Sequence, residues 1–172
     1  MIGQMDSLPR RRATSSGSPE HVTAVDREIL AILQEDARAT IEDIAVRTGL
    51  SPSSAQRRLQ RLRENKVILG DVSIVDPRKV GLGVTLLVEL ELERDRPELM
   101  ANLHQWIAKT PEVQEAWCIT GRGDYTLVVV CGSIDDFDTL AERLVNENPN
   151  VRKFTTHVVL KTLKRGLAVP LP

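Results

Sequence analysis

The residues with the clearest chemical capacity lie between positions 51 and 66. Ser51, Ser53 and Ser54 offer hydroxyls, and Gln56 and Gln60 offer amides. Arg57, Arg58, Arg61, Arg63 and Lys66 offer cations against the single acid Glu64. Arginine forks match phosphate oxygens and the paired acceptors of guanine, amides match adenine, and small hydroxyls suit phosphates or base edges. The same side chains on a merely solvated amphipathic helix would do no chemistry, so spacing decides. At 100° per residue, Ala55, Leu59 and Leu62 fall within about 60° of one another and form an inward side. Ser53, Ser54, Arg57 and Arg61 then point away from it. Arg58 flanks one edge, and Gln56 and Gln60 the other. The pattern is that of a helix whose outward side presents donors to a polyanion.

Such a helix must be held by others. Ser51 is a good N-cap and Pro52 suits the first helical position, so the spacing predicts a helix from Pro52 to about Asn65. Upstream, Thr23 with Asp26 and Thr40 with Asp43 both have the S/T-x-x-D/E spacing in which two side chains satisfy orphan amides at a helix start. Val25, Ile29, Ile32 and Leu33 recur at helical spacing after the first. Ile41, Ile44, Ala45 and Thr48 do so after the second, which Gly49 ends by adopting a left-handed backbone. Helix, glycine turn and capped helix are the spacing of a helix-turn-helix. Val67-Ile68-Leu69 and Val72-Ser73-Ile74-Val75 around Gly70-Asp71 predict a small hairpin, or wing. Asp76-Pro77, Gly81 and Gly83 mark a connection.

The second half has another rhythm. Val84–Leu92 alternates between apolar and polar residues, as a strand with one wet face does. Pro97–Lys109 reads as a helix, Val113–Ile119 and Tyr125–Cys131 as strands, Ile134–Glu147 as a helix and Lys153–Lys161 as a last strand. The order βαββαβ predicts a ferredoxin-like sandwich. The expected organisation is a disordered tail over 1–21, a winged helix-turn-helix over 22–75 and a linker over 76–83. An α/β sandwich over 84–165 and a tail over 166–172 complete an α+β chain. The triple arginine Arg10-Arg11-Arg12 reads as part of a solubilising tail.

Charge and composition narrow the partners. Lys and Arg total 23 and Asp and Glu 24, so a uniformly polyanion-binding surface is excluded and any basic surface is local. Residues 22–80 carry ten bases and nine acids, whereas 81–172 carry ten bases and thirteen acids, which leaves the DNA-facing role to the first half. Five aromatic residues are too few for base-stacking platforms. Two cysteines, Cys118 and Cys131, are too few for a disulfide framework and read as buried free thiols in a reducing cytoplasm. No run approaches the roughly 20 apolar residues that span a bilayer, and no signal peptide, zinc-type spacing or phosphate-binding loop is expected.

Several stretches carry a resemblance. Val25-Asp26-Arg27-Glu28-Ile29-Leu30, Arg38 to Leu50, Leu50 to Leu59 and Asp76 to Leu82 are similar to the Lrp/AsnC family of leucine-responsive, or feast/famine, transcription regulators. So are Pro111-Glu112-Val113, Ile119 to Tyr125 and Val159-Leu160-Lys161. The resemblance covers about residues 22–165. It implies a winged helix-turn-helix that binds double-stranded DNA, with Arg38 joining Ser51, Ser53, Ser54, Gln56, Arg57, Arg58 and Arg61 in the contact set. It also implies dimers formed through the sheets, assembly into octameric rings, no cofactor or metal, and an amino-acid effector. The effector would bind against Thr120, Gly121, Arg122, Gly123, Asp124 and Tyr125. There, amides of a Gly-rich turn could meet a carboxylate and Asp124 an ammonium group. The alternative for the same residues is a plain hairpin turn.

Two positions depart from the family pattern: Lys66 stands where glycine is usual, with Asn65 as the expected left-handed cap, and Gly123 where a larger residue is common. The opposing reading is an enzyme resembling the sirohaem decarboxylases, which share this two-domain arrangement. It would need a cluster of histidines and arginines around a tetrapyrrole, and His21, His104 and His157 are the histidines on offer.

Overall fold

The computed structural model describes residues 22–93 and 97–172. The tail expected over 1–21 therefore lies outside the described residues. The chain divides into two units: the described residues up to Val72 with Leu167–Pro172, and Ser73–Gly166.

The first unit is three helices, α1 (Ala24–Glu35), α2 (Ile41–Thr48) and α3 (Pro52–Glu64). Each begins where its cap dictates. Thr23 and Thr40 accept from the amides of Asp26 and Asp43, and each acid returns a bond to its threonine's amide, so both capping boxes are complete. Ser51 accepts from Ser54 N at the start of α3. Such a cap stabilises a helix by about 1 kcal/mol. Gly49 ends α2 at φ 68°, a conformation that glycine adopts without Cβ strain. Ile29 and Ile32 of α1, Ile44 and Ala45 of α2, and Ala55, Leu59 and Leu62 of α3 bury against one another as a single core. Leu167–Pro172 joins this unit through Gln34, whose side-chain amide donates to Val169 O (3.1 Å) and accepts from Val169 N (2.7 Å).

Two local expectations fail after α3. Asn65 is not left-handed, with φ −82°. Lys66 takes that role instead at φ 58°. Its amide donates to Arg63 O (3.1 Å) and that of Val67 to Leu62 O (2.9 Å), the paired bonds of a Schellman cap. The geometry requires the left-handed residue one position beyond the C-cap, so lysine bears the strain. The hairpin around Gly70-Asp71 does not form either. Residues 69–76 have no strand pairing, and Asp71 is drawn to Arg63 (3.0 Å) instead of closing a turn between two strands.

The second unit opens with a 3₁₀ turn at Pro77–Val80. Then come β1 (Val84–Leu92), α4 (Pro97–Lys109), β2 (Val113–Cys118), β3 (Tyr125–Cys131), α5 (Ile134–Glu147) and β4 (Val151–Val158). This is the βαββαβ order read from the sequence. The sheet is antiparallel with strand order β2-β3-β1-β4. Leu86, Val88 and Leu90 of β1 and Tyr125, Leu127, Val129 and Cys131 of β3 face α4 and α5, where Leu103, Trp106, Leu140 and Leu144 complete the core. Side chains alternate across a strand, so the other face carries Leu87, Glu89, Thr126, Val128 and Trp117. Leu87 is 39% and Trp117 47% exposed there, while Val130 on the same face is buried, which makes this a partly open, partly apolar face.

Two substitutions test these packing assignments. Lys66→Gly removes the left-handed strain and should raise stability by about 0.5–1 kcal/mol, net of glycine's greater unfolded-state entropy. Leu59→Ala should lower it by about 2–5 kcal/mol. Both are read from the urea midpoint, and a Lys66→Gly midpoint at or below the wild type would contradict the cap.

Candidate nucleic-acid interface and loop site

The outward side of α3 is built by what lies behind it. Because Ala55, Leu59 and Leu62 are sealed in the core, the intervening residues must face away. Ser53, Gln56 and Arg57 are exposed, and the side chains of Gln56 and Arg57 make no hydrogen bond or ion pair among the described residues. Ser51 and Ser54 are engaged with each other, the Ser51 hydroxyl donating to Ser54 Oγ at 2.9 Å. Arg38 lies ahead of α2 with a side chain 94% exposed, and its nearest carboxylate is Asp36 at 3.7 Å.

Arg58 and Arg61 behave differently from Arg57. Arg58 Nη1 donates to Asp26 Oδ1 at 2.9 Å, and Arg61 Nη2 donates to Asp26 Oδ2 at 3.2 Å. Asp26 is 1% exposed. It also accepts from the Thr23 amide (3.0 Å) and hydroxyl (2.6 Å). Burial by itself would raise this carboxyl. The bonds from the Thr23 side chain and backbone and the Arg58 guanidinium more than offset it, and hold the group below the ordinary aspartate value. Arg57, Arg58 and Arg61 together line a shallow depression of about 300 Å³. Arg58 and Arg61 bond to the same carboxylate, and Arg57 adds a cation with no ion pair among the described residues, a grouping suited to a phosphate. The sequence marks the arginines but not Asp26. Its capping role is visible in the spacing, whereas its pairing with residues 32 and 35 positions further on depends on how α1 packs against α3.

The strand-connecting loop is ordered by the sheet. Asp124 N donates to Leu90 O (2.8 Å) and Ile119 N to Asp124 O (2.9 Å), which continues the ladder beyond β3. The Asp124 carboxylate accepts from Leu92 N at 2.7 Å, where the β1–β4 register shifts between Glu91 and Leu92. One oxygen of the residue expected to meet an ammonium group is thus holding an irregular strand end. Gly123 is buried, and a Cβ there would come within 3.3 Å of Leu90 O, a tight contact with backbone. Thr120, Gly121 and Arg122 are exposed. Tyr125 does not join them. It is buried on the helix side of the sheet with its hydroxyl 2.8 Å from His104 Nε2. His157 pairs in register with Leu87 and so faces the opposite side of the sheet from His104. His21 lies outside the described residues. Cys131 is buried as expected, but Cys118 is exposed.

A capped three-helix unit with a cationic outward helix, followed by a βαββαβ sandwich, defines a DNA-binding protein with an appended ligand-domain fold. Comparison with known proteins agrees. Residues 22–63 match the AsnC-type helix-turn-helix domain and residues 85–169 the Lrp/AsnC ligand binding domain. A protein described as an uncharacterized HTH-type transcriptional regulator from Sinorhizobium fredii is 37% identical over 88% of this chain and 92% of its own length. The crystal structure of an AsnC family transcriptional regulator from Agrobacterium tumefaciens superposes with a TM-score of 0.81 at 30% identity, covering 86% of this chain and 96% of that one. A transcriptional regulator from Neisseria meningitidis in complex with L-methionine superposes with a TM-score of 0.82 at 25% identity, covering 87% and 97%. The chain belongs to the Lrp/AsnC family and is a DNA-binding transcription regulator. The decarboxylase alternative has no support among these relatives, which are regulators.

The Asp26 cluster makes a pH prediction. A carboxyl whose folded-state pKa lies below its unfolded value contributes stability that is complete above the ordinary aspartate range. That contribution is lost as pH falls through the folded value. Wild-type urea midpoints should therefore drop below about pH 4, and the Asp26→Asn variant should lose less over the same interval. Parallel pH profiles for the two proteins would contradict the assignment.

Proposed function

We propose that α3 reads a DNA duplex through its N-terminal and outward residues. Ser53, Gln56 and Arg57 meet base edges in the major groove. Ser51, Ser54, Arg58, Arg61 and Arg38 meet the phosphates that flank it. The observation that carries this reading is the state of Gln56 and Arg57: both side chains are exposed and without a bond among the described residues, Arg57 on the side of α3 opposite the sealed core and Gln56 on its edge. Long polar side chains left unsatisfied on one side of a well-capped helix are what direct readout needs.

The regulatory half of the proposal is that a small metabolite, an amino acid, is the effector. L-Methionine occupies the relatives from Neisseria meningitidis and Mycobacterium tuberculosis, the latter a feast or famine regulatory protein. In this chain Thr120, Gly121 and Arg122 provide the exposed surface for it, while Gly123, Asp124 and Tyr125 hold that surface to the sheet. The partly apolar sheet face around Leu87 and Trp117 supports a dimer formed sheet to sheet, and assembly of dimers into octamers brings several helix-turn-helix units onto one DNA. The chain works in the cytoplasm without a cofactor and catalyses no reaction. Effector binding shifts the assembly by its differential affinity for the two states, and multivalent contact converts that shift into a change in operator affinity.

The DNA contact is tested with a duplex selected in vitro from a random pool by the wild-type protein. Arg57→Ala should keep the wild-type circular dichroism spectrum and weaken binding to that duplex by about 1–3 kcal/mol. Unchanged affinity would remove Arg57 from the interface. The sensor is tested by thermal shift across the amino acids, with L-methionine among them, and light scattering for size. Arg122→Ala should reduce the rise in melting temperature that the active amino acid produces, and a full-size rise would exclude Arg122 from the effector site.

A further inference from the structure

The first unit contains two capping boxes made of the same residue types in different surroundings. At α2, Asp43 accepts from Thr40 N (3.1 Å) and Thr40 Oγ1 (2.7 Å), caps the helix fully and is exposed. Its own carboxyl is held low by those Thr40 bonds, and among the described residues no side-chain bond joins it to α3. At α1, Asp26 makes the same bonds to Thr23, yet it is buried and also receives the heads of Arg58 and Arg61. Capping alone requires neither the burial nor the two guanidinium groups, as Asp43 demonstrates.

We infer that Asp26 is a positioning residue for DNA recognition: by anchoring Arg58 and Arg61 at one border of α3, it sharpens discrimination between a cognate and a random duplex. The inference rests on the reading of α3 as the DNA-contacting helix. A long arginine side chain that is already ordered in the free protein loses less rotamer freedom on meeting its phosphate. The same carboxylate cancels part of the local positive charge and so weakens the sequence-independent attraction common to all duplexes. Arg57, which has no such anchor among the described residues, is left to reach the bases. Anchoring thus lowers random binding and fixes the register in which Arg57 meets its base pair.

Asp26→Asn separates this role from capping, because an asparagine oxygen can still accept from Thr23 N while the charge that holds the two arginines is gone. The full chain is titrated by fluorescence anisotropy against its selected duplex and a random duplex of equal length, over a series of salt concentrations. Asp26→Asn should lower the ratio of selected to random affinity by about tenfold and steepen the salt dependence on the random duplex by about one unit of slope. Asp43→Asn, which makes the same change in a cap that holds no arginine of α3, should leave ratio and slope at their wild-type values. A folded Asp26→Asn protein with unchanged ratio and slope would overturn the inference and reduce Asp26 to a cap. Should that variant not fold, Asp26→Glu, which keeps the charge but displaces the guanidinium heads, is read instead. A lowered ratio supports the inference and an unchanged one overturns it. A wild-type protein that selects no duplex would overturn the DNA reading itself, a failure distinct from the other two.

Discussion

The burial of Ala55, Leu59 and Leu62 against the isoleucines of α1 and α2 is the constraint on which the rest of the DNA-binding unit depends. A three-helix region of this size buries a modest fraction of its unfolded surface. The loss of one leucine from that core is therefore felt by the whole unit. Packing also sets function, since the direction in which Leu59 points fixes the direction in which Arg57 points. The caps at Thr23, Thr40 and Ser51 determine where each helix starts, so the inward and outward registers cannot drift by one residue without losing several bonds at once.

Most of this architecture is legible locally. Capping spacing and leucine periodicity each involve residues within one or two turns, so the sequence exposes the ends and inner sides of all three helices. Alternation along β1 shows equally well which of its residues meet α4 and α5, whereas β3 is apolar on both sides, so the burial of Tyr125 against the helices, away from the loop, is not legible from its own strand. The failures have physical causes. Propensity assigns the left-handed conformation to Asn65, whereas the Schellman bonds assign it by position to Lys66. The Gly70-Asp71 hairpin has good turn chemistry but no ladder to close, and Arg63 takes the aspartate. The pairing of Asp26 with Arg58 and Arg61 is invisible to any local rule, because it exists only after α1 and α3 have packed.

The loop after β2 shows the same division. Its glycines are visible in the sequence, but their reasons differ. Gly121 has φ 132°, a backbone that other residues rarely adopt, whereas Gly123 lies close against Leu90 O. Asp124 uses a carboxylate oxygen on Leu92 N and so ties the loop to the irregular end of β1. A ligand that engaged Thr120 or Arg122 would therefore act on a segment bonded directly into the sheet. That mechanical continuity is what a sensor needs if occupancy is to alter the exposed face of the sheet, the surface proposed for subunit association.

The most direct measurement is a crystal structure of the protein with the duplex it selects in vitro. The expected complex has α3 in the major groove, with Ser53, Gln56 and Arg57 within hydrogen-bonding distance of bases and Arg58 and Arg61 on phosphates while still bonded to Asp26. A complex in which the outward side of α3 faced solvent or another subunit, with the duplex held elsewhere on the protein, would contradict it.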